Sequence, residues 1–266
     1  MAPYTGTDDL SVSLHGNVLS VTFNRPDSLN SLTAEMIFTL CDVLDRAATD
    51  PAVRVVRLGG AGRGFCAGAG IGAEDQATAR RGDDVDTLLD AVNRAVPMIA
   101  ALPKPVVAVV QGPAAGVGVS LALACDIVLA SETAFFLLAF AKIGLMPDGG
   151  ATALVAASIG RTRALKLALL AERLPAADAL EYGLVSVVYP PEELEAGVAA
   201  VIDKLASGPA AALRLTKQAI NAATLGELEP AIGRETEGQL QLLRSRDFAE
   251  GAKAFQQRRA AVFSDE

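Results

Sequence analysis

The chain predicts an α/β fold in layers, followed by an all-helical tail. Two observations carry this. Up to about Tyr189, short apolar strands alternate with helical segments. From Pro191 onward nothing reads as a strand, and the residues fall into successive helical stretches. At 266 residues with 51% hydrophobic content, the chain can bury a sizeable core.

Leu10 to His15 and Val18 to Phe23 alternate apolar and polar residues around Gly16-Asn17, which predicts a β-hairpin. Asn24-Arg25-Pro26 breaks it. Thr33 is placed to cap a helix whose apolar stripe is Met36, Ile37, Leu40, Val43, Leu44 and Ala47, and Asp50-Pro51 ends that helix. Val53 to Leu58 is a β-branched strand that opens into a glycine-rich stretch from Gly59 to Gly72. Asp83 to Leu102 reads as a helix with Pro97 as a potential kink. Pro105 to Val110 is a buried strand, and Gly112 to Gly118 is a second glycine loop that opens a helix of small residues. Asp126 to Ala130 forms a further strand, Pro147 to Gly150 a turn, and another helix of small residues follows. The tail divides into helical segments 192–206, 209–223, 229–244 and 247–262.

Composition excludes several function classes. No uninterrupted run of eighteen apolar residues occurs, so no membrane span is expected. The polar, acidic start lacks the features of a signal peptide, so a cytoplasmic protein is expected. A net charge of −8 without a dense Lys/Arg run disfavours nucleic acid. Cys41, Cys66 and Cys125 are odd in number and lack CxxC spacing, which supports small buried residues rather than disulfides or a metal site. His15 is the only histidine and sits at the predicted hairpin turn. Any active site must therefore work without histidine.

The two glycine loops carry the functional signal. Neither is followed by Gly-Lys-Ser/Thr, and Ala73 stands where a dinucleotide fingerprint wants its third glycine. Such loops serve either as tight packing turns or as places where backbone N–H groups approach a ligand and form an oxyanion hole. Asp148 likewise has two readings: an N-cap ahead of a helix, or a carboxylate that carries protons.

Taken together, Asn24-Arg-Pro26, Arg63-Gly-Phe-Cys-Ala-Gly-Ala-Gly70, Pro103-Lys-Pro-Val-Val-Ala108, Gly112-Pro-Ala-Ala-Gly-Val-Gly118, Leu121-Ala-Leu-Ala-Cys-Asp126, Gly144-Leu-Met-Pro147 and Glu250-Gly-Ala-Lys-Ala-Phe255 resemble the enoyl-CoA hydratase/isomerase (crotonase) family, in order and over nearly the whole chain. The resemblance implies a spiral core of ββα units (residues 1–190) and a helical C-terminal region (residues 191–266) that builds a homotrimer or a dimer of trimers. The tail carries apolar positions such as Leu194, Val198, Val201, Ile202 and Leu205 at helical spacing and needs a surface to pack on; the chain's own core and another subunit are both expected to serve. It implies an oxyanion hole from the backbone N–H groups of Ala67 and Val117, with the N-terminal dipole of the following helix adding to it. Valine stands where the family usually has glycine, and its side chain would narrow the site.

By the same resemblance, Arg25, Ala67, Gly68, Ala69, Gly70 and Ile71 line the path of coenzyme A, and Phe255 and Arg258 touch its nucleotide. For Phe255 a core position on an amphipathic helix is the alternative. No permanently bound cofactor is implied, since coenzyme A arrives as part of the thioester substrate. The hydratases' two glutamates correspond to Ser120 and Phe140, neither of which takes a proton at neutral pH. The segment around Asp148 resembles the branch that moves double bonds with one carboxylate, including ring isomerases of phenylacetyl-CoA breakdown. An isomerase is thus expected. A hydratase or a non-catalytic acyl-CoA-binding homologue remains the alternative.

Overall fold

The computed structural model describes residues 3–70 and 85–264. The hairpin forms as read: β1 (Leu10–His15) pairs antiparallel with β2 (Val18–Phe23), with Gly16 at φ 60° in the turn and His15 exposed at its edge. β3 (Val55–Gly60), β4 (Val106–Val110), β6 (Ile127–Ser131) and β9 (Val187–Tyr189) add in parallel, giving a six-stranded sheet in the order β1-β2-β3-β4-β6-β9. A second sheet joins three short strands the sequence did not announce: β5 (Ala114–Ala115), β7 (Phe135–Leu137) and β8 (Leu174–Pro175). At two or three residues each, they are too short for alternation to register.

All five residues of β4 are buried, as a central parallel strand covered on both faces requires. Val106, Ala108 and Val110 face the main core with α1 (Ala34–Thr49) and α2 (Val85–Ala101). Val107 and Val109 face the other side, where Leu194, Val198 and Ile202 of a later helix, α6 (Leu194–Ser207), cover them. In α1 the Thr33 hydroxyl accepts the Met36 N–H at 3.2 Å, and all six expected stripe residues are buried. Each such large aliphatic side chain contributes roughly 1.5–3 kcal/mol by leaving water.

The predicted helix 83–102 is seen from Val85 and runs through Pro97. The second glycine loop leads into α3 (Val117–Leu123). A 3₁₀ helix (Ala139–Ile143) precedes the Asp148 turn, and α4 (Ala151–Leu170) follows it, broken at Gly160. Next come α5 (Ala176–Tyr182), which the sequence reading did not separate, and the tail helices α6, α7 (Ala210–Thr224), α8 (Leu228–Leu242) and α9 (Arg246–Gln256).

Of the two surfaces expected for the tail, the chain's own core takes the apolar face of α6: Leu194, Val198 and Ile202 are buried against the sheet, with Val201 and Leu205 packed beside them. The second face of a parallel sheet needs a cover, and α6 supplies it.

Among the described residues no single helix is long and apolar enough to cross a membrane. The three cysteines are free and buried, and burial pushes the Cys41 thiol up to about 11 and the Cys66 thiol up to about 12.

Candidate active site

The first glycine loop leaves the end of β3 and is held by two amide side chains. Nδ2 of fully buried Asn30 faces the carbonyls of Ala61 at 3.0 Å and Gly64 at 2.8 Å. Nε2 of Gln111 faces those of Gly60 and Gly64, both at 2.7 Å. Asn30 sits at φ 59° and Leu29 beside it at φ 54°. Asparagine tolerates that left-handed region, whereas for leucine it is uncommon.

The loop then lies against the second one. Cys66 N–H donates to Pro113 at 3.1 Å, and Ala115 N–H donates to Cys66 at 2.8 Å. The approach leaves no room for side chains. A Cβ on Gly68 (φ 88°) would lie 2.8 Å from the Ala115 oxygen, and one on Gly118 would lie 2.6 Å from the Cys66 oxygen. Packing thus accounts for these two glycines, and the same packing brings the backbones of residues 66–68 and 115–118 together.

The expected donors differ in state. Val117 is the first residue of α3, so its N–H has no partner within the helix. Its side chain is buried in the core cluster. Ala67 N–H, in contrast, donates to the Leu29 carbonyl at 2.9 Å, so the hole is not presented as two open donors. The expected dipole contribution is also modest, because α3 has only seven residues.

Asp148 is 7% exposed. Its Oδ2 accepts from Gln239 Nε2 at 2.6 Å, while Oδ1 is buried with no hydrogen-bond partner. Its backbone carbonyl accepts the hydroxyl of Ser120, on α3, at 2.9 Å. The capping alternative fails. The side chain of Asp148 caps nothing in α4; Glu235 of α8 accepts from Gly150 N–H at 2.6 Å and Thr152 N–H at 2.8 Å instead. Burial pushes the Asp148 carboxyl up from 3.8 to about 7, against the bond from Gln239, with the Glu235 charge adding a smaller push. Burial raises Glu235 as well. A carboxyl near 7 exchanges protons readily at neutral pH. Phe140 is buried beside the second loop: a Cβ on Gly116 would lie 3.8 Å from its ring.

The remaining predicted residues spread out from this point. Arg25 donates to the Ser31 carbonyl at 2.8 Å and lies 3.6 Å from Asp9. Gly68 N–H lies 3.4 Å from the Cys66 sulfur, and Gly68 O accepts Leu32 N–H at 2.9 Å. Ala69 is exposed and bridges to Leu32. Gly70 is half-buried, and Ile71 lies outside the described residues. Phe255 is 56% exposed on α9, which removes the core alternative for it. Arg258 lies just past that helix at φ 53°. Sequence reasoning missed Gln239 and Glu235. Both stand 83 or more residues from their partners, on a helix read from sequence only as the segment 229–244.

Fold and site together define an α/β protein with two interlocked glycine loops and a buried carboxyl of raised pKa, its backbone tied through Ser120 to the helix that the second loop opens. The enoyl-CoA hydratase/isomerase family model matches residues 13–266. The chain is 39% identical over 248 residues to the 1,2-epoxyphenylacetyl-CoA isomerase of Escherichia coli K12, covering 93% of this chain and 95% of that protein. It is 37% identical to a probable enoyl-CoA hydratase of Rhodobacter capsulatus, covering 92% and 93%. A crystal structure of an enoyl-CoA hydratase from Mycobacterium avium subsp. paratuberculosis superposes with a TM-score of 0.91 at 62% identity, covering 98% of this chain and 100% of that one. The chain belongs to the enoyl-CoA hydratase/isomerase (crotonase) family and has its fold.

Proposed function

We propose that this enzyme is an enoyl-CoA isomerase that moves a double bond, or carries out a related ring isomerisation, through Asp148. The observation that carries the reading is the buried Oδ1 of Asp148, unpartnered while Oδ2 is held. Ionised, it takes a proton from one carbon of the acyl chain; protonated, it returns that proton to another. The charge that develops on the thioester oxygen needs backbone donors, and Val117 N–H supplies one. Ala67 N–H supplies the second once the Leu29 carbonyl yields to substrate. Ser120 and Phe140 offer no second carboxylate to activate a water. In this reading the apolar Phe140, Leu145 and Met146 are the residues that keep bulk water from the proton in transit, and Phe140 among them is buried. The named relatives support both branches: the Escherichia coli protein favours isomerisation, and the Rhodobacter capsulatus name favours hydration.

Coenzyme A runs along residues 67–71 with Arg25, and its nucleotide meets Phe255 and Arg258. It enters as part of the substrate, with no permanent cofactor. The helical region 191–266 serves assembly into trimers or dimers of trimers beside a core of residues 1–190, in the cytoplasm. Phenylacetyl-CoA breakdown is the pathway that the Escherichia coli relative suggests. The test is to offer 3-enoyl-CoA and crotonyl-CoA thioesters separately. Shift of the 3-enoyl bond with little hydration of crotonyl-CoA is expected; fast hydration with no shift would reverse the assignment to hydratase, and neither activity on any thioester would leave an acyl-CoA-binding homologue.

A further inference from the structure

We propose that Gln239 is a positioning residue for the Asp148 carboxylate, and that α8 supplies it within the same chain. The proposal rests on the isomerase reading of Asp148. Two contacts carry it. Gln239 Nε2 donates to Oδ2 at 2.6 Å. Its Oε1 accepts the N–H of Met146, two residues before Asp148, at 3.3 Å. The amide is thus held at both ends, and each end meets an atom of the right polarity. Gln239 is 2% exposed, so neither bond is shared with bulk water. With Oδ2 committed, Oδ1 is the atom left to exchange a proton.

The same helix removes the competing task. Four residues earlier, one turn away on the same face, Glu235 takes the Gly150 and Thr152 N–H groups at the start of α4. Without Glu235 those donors would draw in Asp148, the nearest carboxylate in sequence, as an N-cap. Ser120 completes the arrangement by holding the Asp148 carbonyl at 2.9 Å. Gln239 does not touch the reacting carbons in this account; it acts through Asp148.

The test compares Gln239→Met, which keeps length and removes both polar ends, with the native enzyme across pH. A fall in kcat of about 10- to 100-fold with little change in KM is expected. The pH of half-maximal kcat should also move upward, because the lost N–H favoured the ionised carboxylate. A merely structural glutamine would lower the fraction folded and leave that midpoint in place. Native kcat with an unmoved midpoint overturns the proposal. If Gln239→Met does not fold, Gln239→Glu carries the test. Its carboxyl shares a proton with Asp148, so the pair titrates in two separated steps and the midpoint must move, and an unmoved midpoint again overturns the proposal. Asp148→Asn is assayed alongside. Full isomerase turnover there defeats the underlying reading, whereas loss there with native behaviour in the Gln239 variant defeats the positioning role alone.

Discussion

Leu29 turns its carbonyl onto the Ala67 N–H at 2.9 Å, from a left-handed backbone at φ 54°. One of the two donors expected at the thioester is therefore spoken for by the chain itself, and only Val117 stands at a helix start with its N–H uncommitted within the helix. The two donors are accordingly unequal as targets for substitution.

Val117→Pro is the cleaner probe of the oxyanion hole. Proline suits the first position of a helix, removes the N–H and puts a ring of similar size in place of the buried valine side chain. Turnover should drop roughly 10²- to 10³-fold with the fold intact. Ala67→Pro also removes the bond to Leu29, so a loss of about 1 kcal/mol of stability should accompany its loss of rate. A folded Val117→Pro enzyme with native kcat would show that Val117 is not a donor.

Asp148→Asn preserves the shape and still accepts the Gln239 bond, but it cannot take a proton. We expect a folded protein with native CoA-ester binding and with isomerase turnover reduced by roughly two or more powers of ten. In the native enzyme, kcat should rise with pH through about 7, where the carboxyl ionises. A flat profile between pH 5 and 9, in steady-state assays, would remove Asp148 as the base.

The same carboxyl links stability to pH. The folded chain holds the Asp148 proton more tightly than the unfolded chain, at about 7 against 3.8. Its contribution is therefore most favourable below about pH 4 and is lost as pH rises to about 7. Above that, a buried anion must be maintained. Asp148→Asn should be the more stable protein at pH 8, by an amount on the order of 2–4 kcal/mol, with the difference vanishing near pH 4. Burial raises the Glu235 carboxyl too, so native stability should fall on the alkaline side from both groups. Denaturant melts at the two pH values decide this, and equal stability at pH 8 refutes it.

Assembly should use α7 rather than α6. No residue of α7 is buried, and Leu215 and Ile220 on it are 56% and 57% exposed. Polar ties hold the helix to the core instead, with Lys217 Nζ 2.9 Å from Asp126 and Asn221 Nδ2 2.9 Å from the Ala100 carbonyl. Light scattering at micromolar concentration should report a trimer or hexamer, and Leu215→Asp with Ile220→Asp should lower the mass. A native monomer would refute the expectation.

What the sequence by itself determined is what depends on near neighbours. The apolar stripe of α1, the Thr33 cap and the hairpin around Gly16 were legible because helix and strand periodicities involve residues within about four positions. The glycine loops and Asp148 were legible as parts of ordered motifs, with two readings each. Tertiary structure alone removed the capping reading of Asp148: Glu235, 87 positions later, caps α4, and Gln239, 91 positions later, holds one of the Asp148 oxygens. Likewise, spacing marked the apolar face of α6 but not its partner, which turned out to be the chain's own sheet. Burial and hydrogen-bond satisfaction are properties of what packs from a distance, and only the folded chain brings Gln239, Glu235 and Asp148 into contact.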